Sequence, residues 1–161
     1  MPFQKTIRYD QAAAIPGTIV EAADTYKYVR KGAVGKGKTL GIGKFAVYDA
    51  TVKGYRNVAI GDTADNLAGL CVLDKYNTGE AVDYAYKGGQ AVTILENGIM
   101  AVEAVFDKGD TDIITIDLDT ADIYVGTVTA AIINKITANG FKCVQHTGLA
   151  ENEKGIVFIK K

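Results

Sequence analysis

One stretch of the sequence has the residue types and spacing of a phosphate-binding loop. Residues 32–39 read Gly-Ala-Val-Gly-Lys-Gly-Lys-Thr and satisfy the pattern G-x-x-x-x-G-K-T. In such a loop, backbone N–H groups and the lysine hold nucleotide phosphates, and a helix follows with its N-terminus toward them. Asp74, after the apolar run 70–73, would supply a Mg²⁺ ligand. This pattern defines one candidate class, a P-loop nucleotide- or phosphate-binding protein.

The residues after this match do not favour a helix. Gly41 and Gly43 would fall in its first turns, where each glycine costs about 1 kcal/mol relative to alanine. Residues 45–48 then read as a strand, and the chain lacks the strand–helix alternation of a parallel sheet. The favoured interpretation of residues 31–43 is therefore a solvated loop, rich in Gly and Lys, between two strands.

The other acidic, histidine and cysteine side chains do not have the spacing of a catalytic or metal-binding site. The acidic cluster 107–112 lacks the Gly and Glu that a Ca²⁺ loop needs at its sixth and twelfth positions, so it predicts a solvated turn. His146, the only histidine, has no partner at the spacing of a triad or a zinc site. Cys71 and Cys143 stand in apolar runs, which favours two buried, reduced thiols. We expect no catalytic residue, no metal and no cofactor.

The pattern of short apolar or alternating segments separated by glycine-containing turns predicts a mainly β protein. Residues 84–105 read as a strand, a Gly88-Gly89 break, a second strand with period-2 alternation, an Asn97-Gly98 turn and a third strand. We therefore predict hairpins there. Short strands are also predicted at 25–30, 44–48, 68–73, 113–118, 141–144 and 155–159. One short helix is predicted near the C-terminus over 127–139, where apolar residues recur at helical spacing before Gly140.

Composition and charge exclude several partner classes. The 161 residues carry 18 Lys and Arg against 19 Asp and Glu, a net charge of −1 without a basic stripe, so we expect no nucleic acid partner. No apolar run approaches the roughly 20 residues of a membrane span. The N-terminal residues lack the apolar core of a signal peptide, and we expect the protein to stay where it is synthesised.

The first 17 residues predict an extended arm before a single β-rich domain at 18–161. The arm's apolar residues would share one face of an extended segment, because they occupy odd-numbered positions. Exposing that face is unfavourable by roughly 25 cal/mol per Å² of apolar area, so we expect it to add to a sheet or groove. Pro16-Gly17 then predicts a type II turn. The candidate partner-binding residues are Phe3, Ile7, Tyr9 and Ile15.

Four segments follow one another in a characteristic order. They are Ile15-Pro16-Gly17 after a short arm, the strand opening 43–47, the apolar strand 68–72, and a Gly pair before the pattern V-x-I-L-x-x-G-x-x-x-V at 92–102. In this order they resemble the structural cement, or capsid decoration, proteins of tailed bacteriophages. The likeness covers residues 12–119, and the segment from 120 onward has no counterpart in it.

The resemblance implies a non-enzymatic β-barrel or β-sandwich domain that binds the outer surface of an assembled phage capsid. The partner it implies is the major capsid protein, and the oligomer is a trimer near local three-fold positions. The N-terminal arm would reach a neighbouring subunit. The implied location is the virion, on the outer capsid surface, after synthesis in the host cytoplasm. The family's strand pair often carries Arg near its turn, where this chain has Glu96-Asn97.

A third class is a carbohydrate-binding or adhesion module on the virion surface. Such a module would use a concave aromatic patch, because sugar rings pack against aromatic faces. Tyrosines on alternating strand positions more often pack at the edge of a core. The residues available for the patch are Tyr26, Tyr28, Tyr48, Tyr55, Tyr84 and Tyr86.

Overall fold

The computed structural model of the chain describes residues 15–20, 27–74, 84–106, 112–126, 128, 132–146, 149 and 152–161. Within these ranges the regular structure is a set of strands and one 3₁₀ turn at Ala64–Asn66. The strands are β1 (Ile19–Val20), β2 (Tyr28–Ala33), β3 (Thr39–Gly41), β4 (Phe45–Asp49), β5 (Gly54–Asn57), β6 (Leu67–Cys71), β7 (Ala85–Lys87), β8 (Ala91–Asn97), β9 (Ile99–Phe106), β10 (Ile114–Asp117), β11 (Ile123–Val125), β12 (Lys135–Thr137), β13 (Lys142–His146) and β14 (Glu153–Lys160).

The strands form three sheets. A seven-stranded sheet has the order β12-β10-β11-β9-β14-β13, with β1 also paired to β9. A five-stranded sheet has the order β2-β8-β6-β4-β5, and β3 and β7 form a two-stranded sheet. The pairs are antiparallel except for β9 with β11, which is parallel. The prediction of a mainly β fold is confirmed.

Neither large sheet closes into a barrel in the part of the chain that the structure describes. The two edges of the five-stranded sheet, β2 and β5, touch at one isolated bridge between Val34 and Tyr55. The sheet therefore curls without closing, and the barrel form of the prediction is not found. The sandwich form stays a prediction.

The hairpins predicted within 84–105 are wrong, although the three strands are present. β7 pairs with β3, β8 lies in the five-stranded sheet, and β9 lies in the seven-stranded sheet. Only Gly98 separates β8 from β9, and one residue is too few for the two-residue loop of a tight hairpin. Gly98 has φ +134°, which turns the chain from one sheet into the other.

Two hydrophobic clusters hold the sheets together. The larger joins Phe45 and Leu95 of the five-stranded sheet to Met100 and Ile114 of the seven-stranded sheet. The ring of Phe45 also meets that of Phe141 edge to face, with centroids 4.9 Å apart. The smaller packs the two-stranded sheet onto the five-stranded one through residues that include Leu40, Tyr86, Cys71 and Ile94.

The helix predicted over 127–139 is wrong where the structure describes its C-terminal half. Lys135–Thr137 is strand β12 and pairs with β10, so that Ile136 lies opposite Ile116. The β-branched residues Ile136 and Thr137 are weak helix formers and favour a strand that can pack on a neighbour. Residues 127 and 129–131 lie outside the described ranges.

Replacing Gly69 by Ala should destabilise the protein by about 3 kcal/mol or more. Gly69 has φ +149°, and a Cβ there would lie 2.3 Å from the backbone oxygen of Leu95. The variant therefore combines backbone strain with a clash that no side-chain rotation relieves. Urea unfolding measures the loss.

Gly37→Ala is the matched control, because Gly37 also has a positive φ, +72°, but a Cβ there would meet no atom within 4 Å. Its cost should be limited to backbone strain of roughly 1–2 kcal/mol. Equal losses in the two variants would contradict the packing argument.

Candidate interaction surfaces

The match to a phosphate-binding loop does not have the geometry of one. Gly32 and Ala33 end strand β2, residues 36 and 37 form a turn, and Thr39 opens strand β3. A strand therefore stands where a P-loop needs a helix N-terminus to face the phosphates. The predicted solvated loop over residues 31–43 is found only in part. Residues 36 and 37 form an exposed turn, but residues 31–33 belong to β2, residues 39–41 form β3, and Leu40 and Ile42 are buried.

The remaining chemistry-bearing residues are not brought together. Asp112 is exposed, and residues 107–111 of its acidic cluster lie outside the described ranges. His146 is placed in strand β13. Among the described residues, no group of three His, Cys, Asp or Glu side chains could hold a metal ion. In the same part of the chain, no helix is long and apolar enough to cross a membrane.

Both cysteines are buried thiols, as predicted. Cys71 lies in the smaller hydrophobic cluster and Cys143 in the larger one, without a disulfide between them. Burial raises the pKa of the Cys71 thiol to about 12, because the apolar surroundings disfavour the thiolate. The side chain is thus both enclosed and protonated near neutral pH.

Neither thiol should react with a small thiol reagent in the native protein at pH 8. Reaction requires an accessible thiolate, and Cys71 and Cys143 are 0% and 6% exposed. Colorimetric thiol titration should count two thiols after denaturation and almost none before. Rapid native labelling of both would contradict the placement.

The described part of the predicted arm is its last turn, residues 15–17. The Gly17 N–H donates to the Ala101 carbonyl at 2.8 Å, and the Leu73 N–H donates to the Gly17 carbonyl at 2.9 Å. The Tyr84 hydroxyl donates to the Pro16 carbonyl at 2.7 Å. The positive φ of Gly17, +88°, is that of the third residue in a type II turn. The predicted turn is confirmed, and it is bonded to three separate segments.

This turn is also closely packed. A Cβ at Gly17 would lie 2.5 Å from Ile42 Cγ2, and a Cβ at Gly43 would lie 3.0 Å from the Gly17 nitrogen. Just before the turn, Ile15 is 41% exposed. Of the other predicted partner-binding residues, Phe3, Ile7 and Tyr9 lie outside the described residues.

A charged clamp that the sequence did not reveal fixes an exposed turn. Arg56 donates two hydrogen bonds to Asp62, at 2.7 and 3.0 Å, and one to Asp49 at 2.9 Å. Asp62 also accepts from the Ala59 N–H at 2.8 Å. The tip of this turn, Ile60, is 65% exposed. No local pattern in the sequence shows that Arg56 reaches both carboxylates, because Asp49 and Asp62 lie on either side of it in the chain and only folding brings the three together.

Arg56→Met should destabilise the protein by about 2–3 kcal/mol at pH 7, because the half-buried Asp62 carboxylate loses its charged donor. The Arg56 hydrogen bonds hold the pKa of Asp62 below its usual value. The clamp therefore stabilises the fold above the unfolded carboxyl pKa of about 4, and this contribution is lost as pH falls through the lower folded pKa. Urea unfolding at pH 7 and pH 3 measures the free energy of unfolding of both proteins. The difference between wild type and the variant should be smaller at pH 3 than at pH 7.

The control for the clamp is Lys154→Met, which removes a solvent-exposed pair with Glu103 at 3.1 Å. An exposed pair contributes about 0–1 kcal/mol, so this variant should differ little from wild type at either pH. A loss as large as that of the Arg56 variant would show that the clamp has no special role.

The candidate tyrosines do not form one patch. Tyr48 and Tyr55 pack edge to face with centroids 5.4 Å apart and line a cavity of about 760 Å³ beside the paired Arg30 and Glu96. Tyr84 lines a different cavity and Tyr86 is fully buried. Tyr26 lies outside the described residues. Tyr28 is exposed on β2 and its side chain bonds to Arg30, which lines the same cavity as Tyr48 and Tyr55. Carbohydrate binding stays a prediction.

The fold and these surfaces define a β-sheet protein whose distinctive features are an anchored N-terminal turn and exposed, firmly held turns. The family model described as "Structural cement protein (E217 gp24/Pam3 gp6)" matches residues 3–159. The chain therefore belongs to the phage structural cement proteins, and it is a structural protein of the phage virion. The match includes the segment beyond residue 119, where the sequence resemblance ended. No curated protein matches the chain.

Proposed function

We propose that this protein binds the outer surface of the phage head and stabilises it, without catalysis and without a cofactor. Its partner is the major capsid protein, and it acts as a homotrimer. The family match over residues 3–159 supports the structural role. The observation that carries the mode of binding is the anchored turn at Pro16-Gly17, from which the predicted arm begins.

The turn attaches the predicted arm to the domain at a defined position. Gly17 is bonded to Ala101 of β9 and to Leu73, two residues after β6, so the seven-stranded sheet and the chain that leaves the five-stranded sheet both hold it. β1 follows the turn directly and pairs with β9, with Ile19 opposite Met100. A segment attached here starts from a rigid base, which lowers the ordering cost of binding.

The arm itself supplies an apolar face. Phe3, Ile7, Tyr9 and Ile15 alternate with polar residues, and the exposure of Ile15 leaves the last of them accessible at the root. An extended segment with one apolar face can add to a sheet edge or lie in a groove of another subunit. We propose that the arm contacts a neighbouring capsid or cement subunit on the head.

Deleting residues 2–14 should leave a folded protein that binds undecorated heads at least roughly tenfold more weakly, since it loses several buried apolar side chains. Thermal unfolding checks the fold, and co-sedimentation with heads, followed by electron microscopy, measures decoration. In the full chain, Phe3→Ser/Ile7→Ser/Tyr9→Ser should reproduce the loss. Gln4→Ala/Thr6→Ala/Asp10→Ala changes the opposite face and should bind like wild type.

Unchanged affinity of the truncated protein would overturn the role of the arm. If the truncated protein unfolds, the arm belongs to its own core and the proposal also fails. Failure of the wild-type protein to bind heads would overturn the proposed function itself.

A further inference from the structure

Three turns beside the five-stranded sheet meet through close glycine contacts. They join β2 to β3 (residues 34–38), β4 to β5 (residues 50–53) and β7 to β8 (residues 88–90). A Cβ at Gly54 would lie 2.5 Å from the Gly35 nitrogen, and one at Gly88 would lie 2.9 Å from the Gly37 nitrogen. Only glycine allows backbones to approach this closely, so the turns form one continuous surface.

This surface carries five exposed lysines, which we call the basic face: Lys31, Lys36, Lys38, Lys53 and Lys87. Lys36 and Lys38 lie in the first turn, Lys53 in the second, and Lys87 at the start of the third. Lys31 lies on β2 and lines the same cavity as Lys53. Residues far apart in sequence, from 31 to 87, are thus brought together by the fold.

Among the described residues, the lysines of the basic face have no ion-pair partner, whereas several other cations do. Arg30 pairs with Glu96, Lys44 with Asp122, and Arg56 with Asp49 and Asp62. No side chain of the five makes an ion pair or hydrogen bond within the described residues. The two carboxylates nearest in sequence to Lys53, Asp49 and Asp62, are both taken by Arg56. The protein's net charge is −1, so this local excess does not follow from a basic composition.

The backbone at Lys53 is strained. Its φ is +52°, a left-handed conformation that glycine or asparagine adopts more readily and that costs a lysine roughly 1–2 kcal/mol. Strain kept at a charged, exposed side chain points to a role for that side chain outside folding.

We propose that the basic face docks onto an acidic surface of the phage head, which rests on the proposed function. Exposed like charges that lie near one another repel weakly in water, and an opposing acidic surface would convert this repulsion into attraction. Close glycine contacts hold the turns that carry this face. Binding through its lysines would therefore cost little backbone conformational entropy. Complementary charge of this kind steers association and sets register more than it adds buried area.

The test compares two charge-reversed proteins in binding to undecorated heads. Lys36→Glu/Lys87→Glu changes two turns of the basic face. Lys135→Glu/Lys142→Glu makes the same net change at exposed lysines on the seven-stranded sheet. At 50 mM salt the first should bind at least roughly tenfold more weakly than wild type, and the second should stay within about twofold.

Salt and a conservative variant separate charge from structure. The deficit of Lys36→Glu/Lys87→Glu should shrink as salt rises toward 1 M, where the screening length falls to about 3 Å. Lys36→Arg/Lys87→Arg keeps the charge and should bind like wild type. Thermal unfolding verifies that all three variants are folded.

Wild-type binding by Lys36→Glu/Lys87→Glu at low salt would overturn the proposal, and so would an equal loss in the control. If the face instead retains duplex DNA on filters while head binding is unaffected by the substitutions, its partner is nucleic acid and the proposal is wrong. If wild-type protein does not bind heads at any salt concentration, the proposed function fails, which is a different result from a variant that binds normally.

Discussion

The structure depends on one continuous stretch of chain, β8–Gly98–β9, that belongs to both large sheets. Gly98 is the only residue between the two strands, and its φ of +134° turns the chain from one sheet to the other. Leu95 before it and Met100 after it are both buried in the larger cluster. β9 then pairs with β14 along its whole length and with β1 and β11 on its other side. Loss of this crossing would separate the two halves of the core.

The same crossing fixes the last turn of the predicted arm. Ala101, the third residue of β9, accepts from the Gly17 N–H, and its own N–H donates to the Thr18 carbonyl. The anchored turn is therefore part of the seven-stranded sheet, while its bond to Leu73 reaches the chain after β6. The turn is thus held by β9, the strand that also pairs with β14, β1 and β11.

Charged residues divide into those that hold turns and those that the fold leaves for solvent or a partner. Arg56 satisfies two carboxylates at once, and its own pKa is raised above the usual value by its hydrogen bond to Asp62. That geometry holds Ile60 at the tip of a fixed turn. On the basic face, glycine contacts fix the backbone of the turns. The lysine side chains do not contribute to holding these turns. The turn that carries Ile60 and the turns of the basic face are therefore both held in place, the first by charged hydrogen bonds and the others by close backbone packing.

The sequence by itself determined the mainly β character, the position of most strands, the Pro16-Gly17 turn and the burial of both cysteines. These follow from local signals: period-2 alternation, the conformational limits of Pro and Gly, and apolar surroundings. Only the tertiary structure decided which strands pair, that β8 and β9 lie in different sheets, and that Lys135–Thr137 is a strand opposite β10. It also decided that the turns next to Lys36, Lys53 and Lys87 meet. Alternation specifies that a segment is a strand but not its partner, because partners are chosen by packing between residues far apart in the chain.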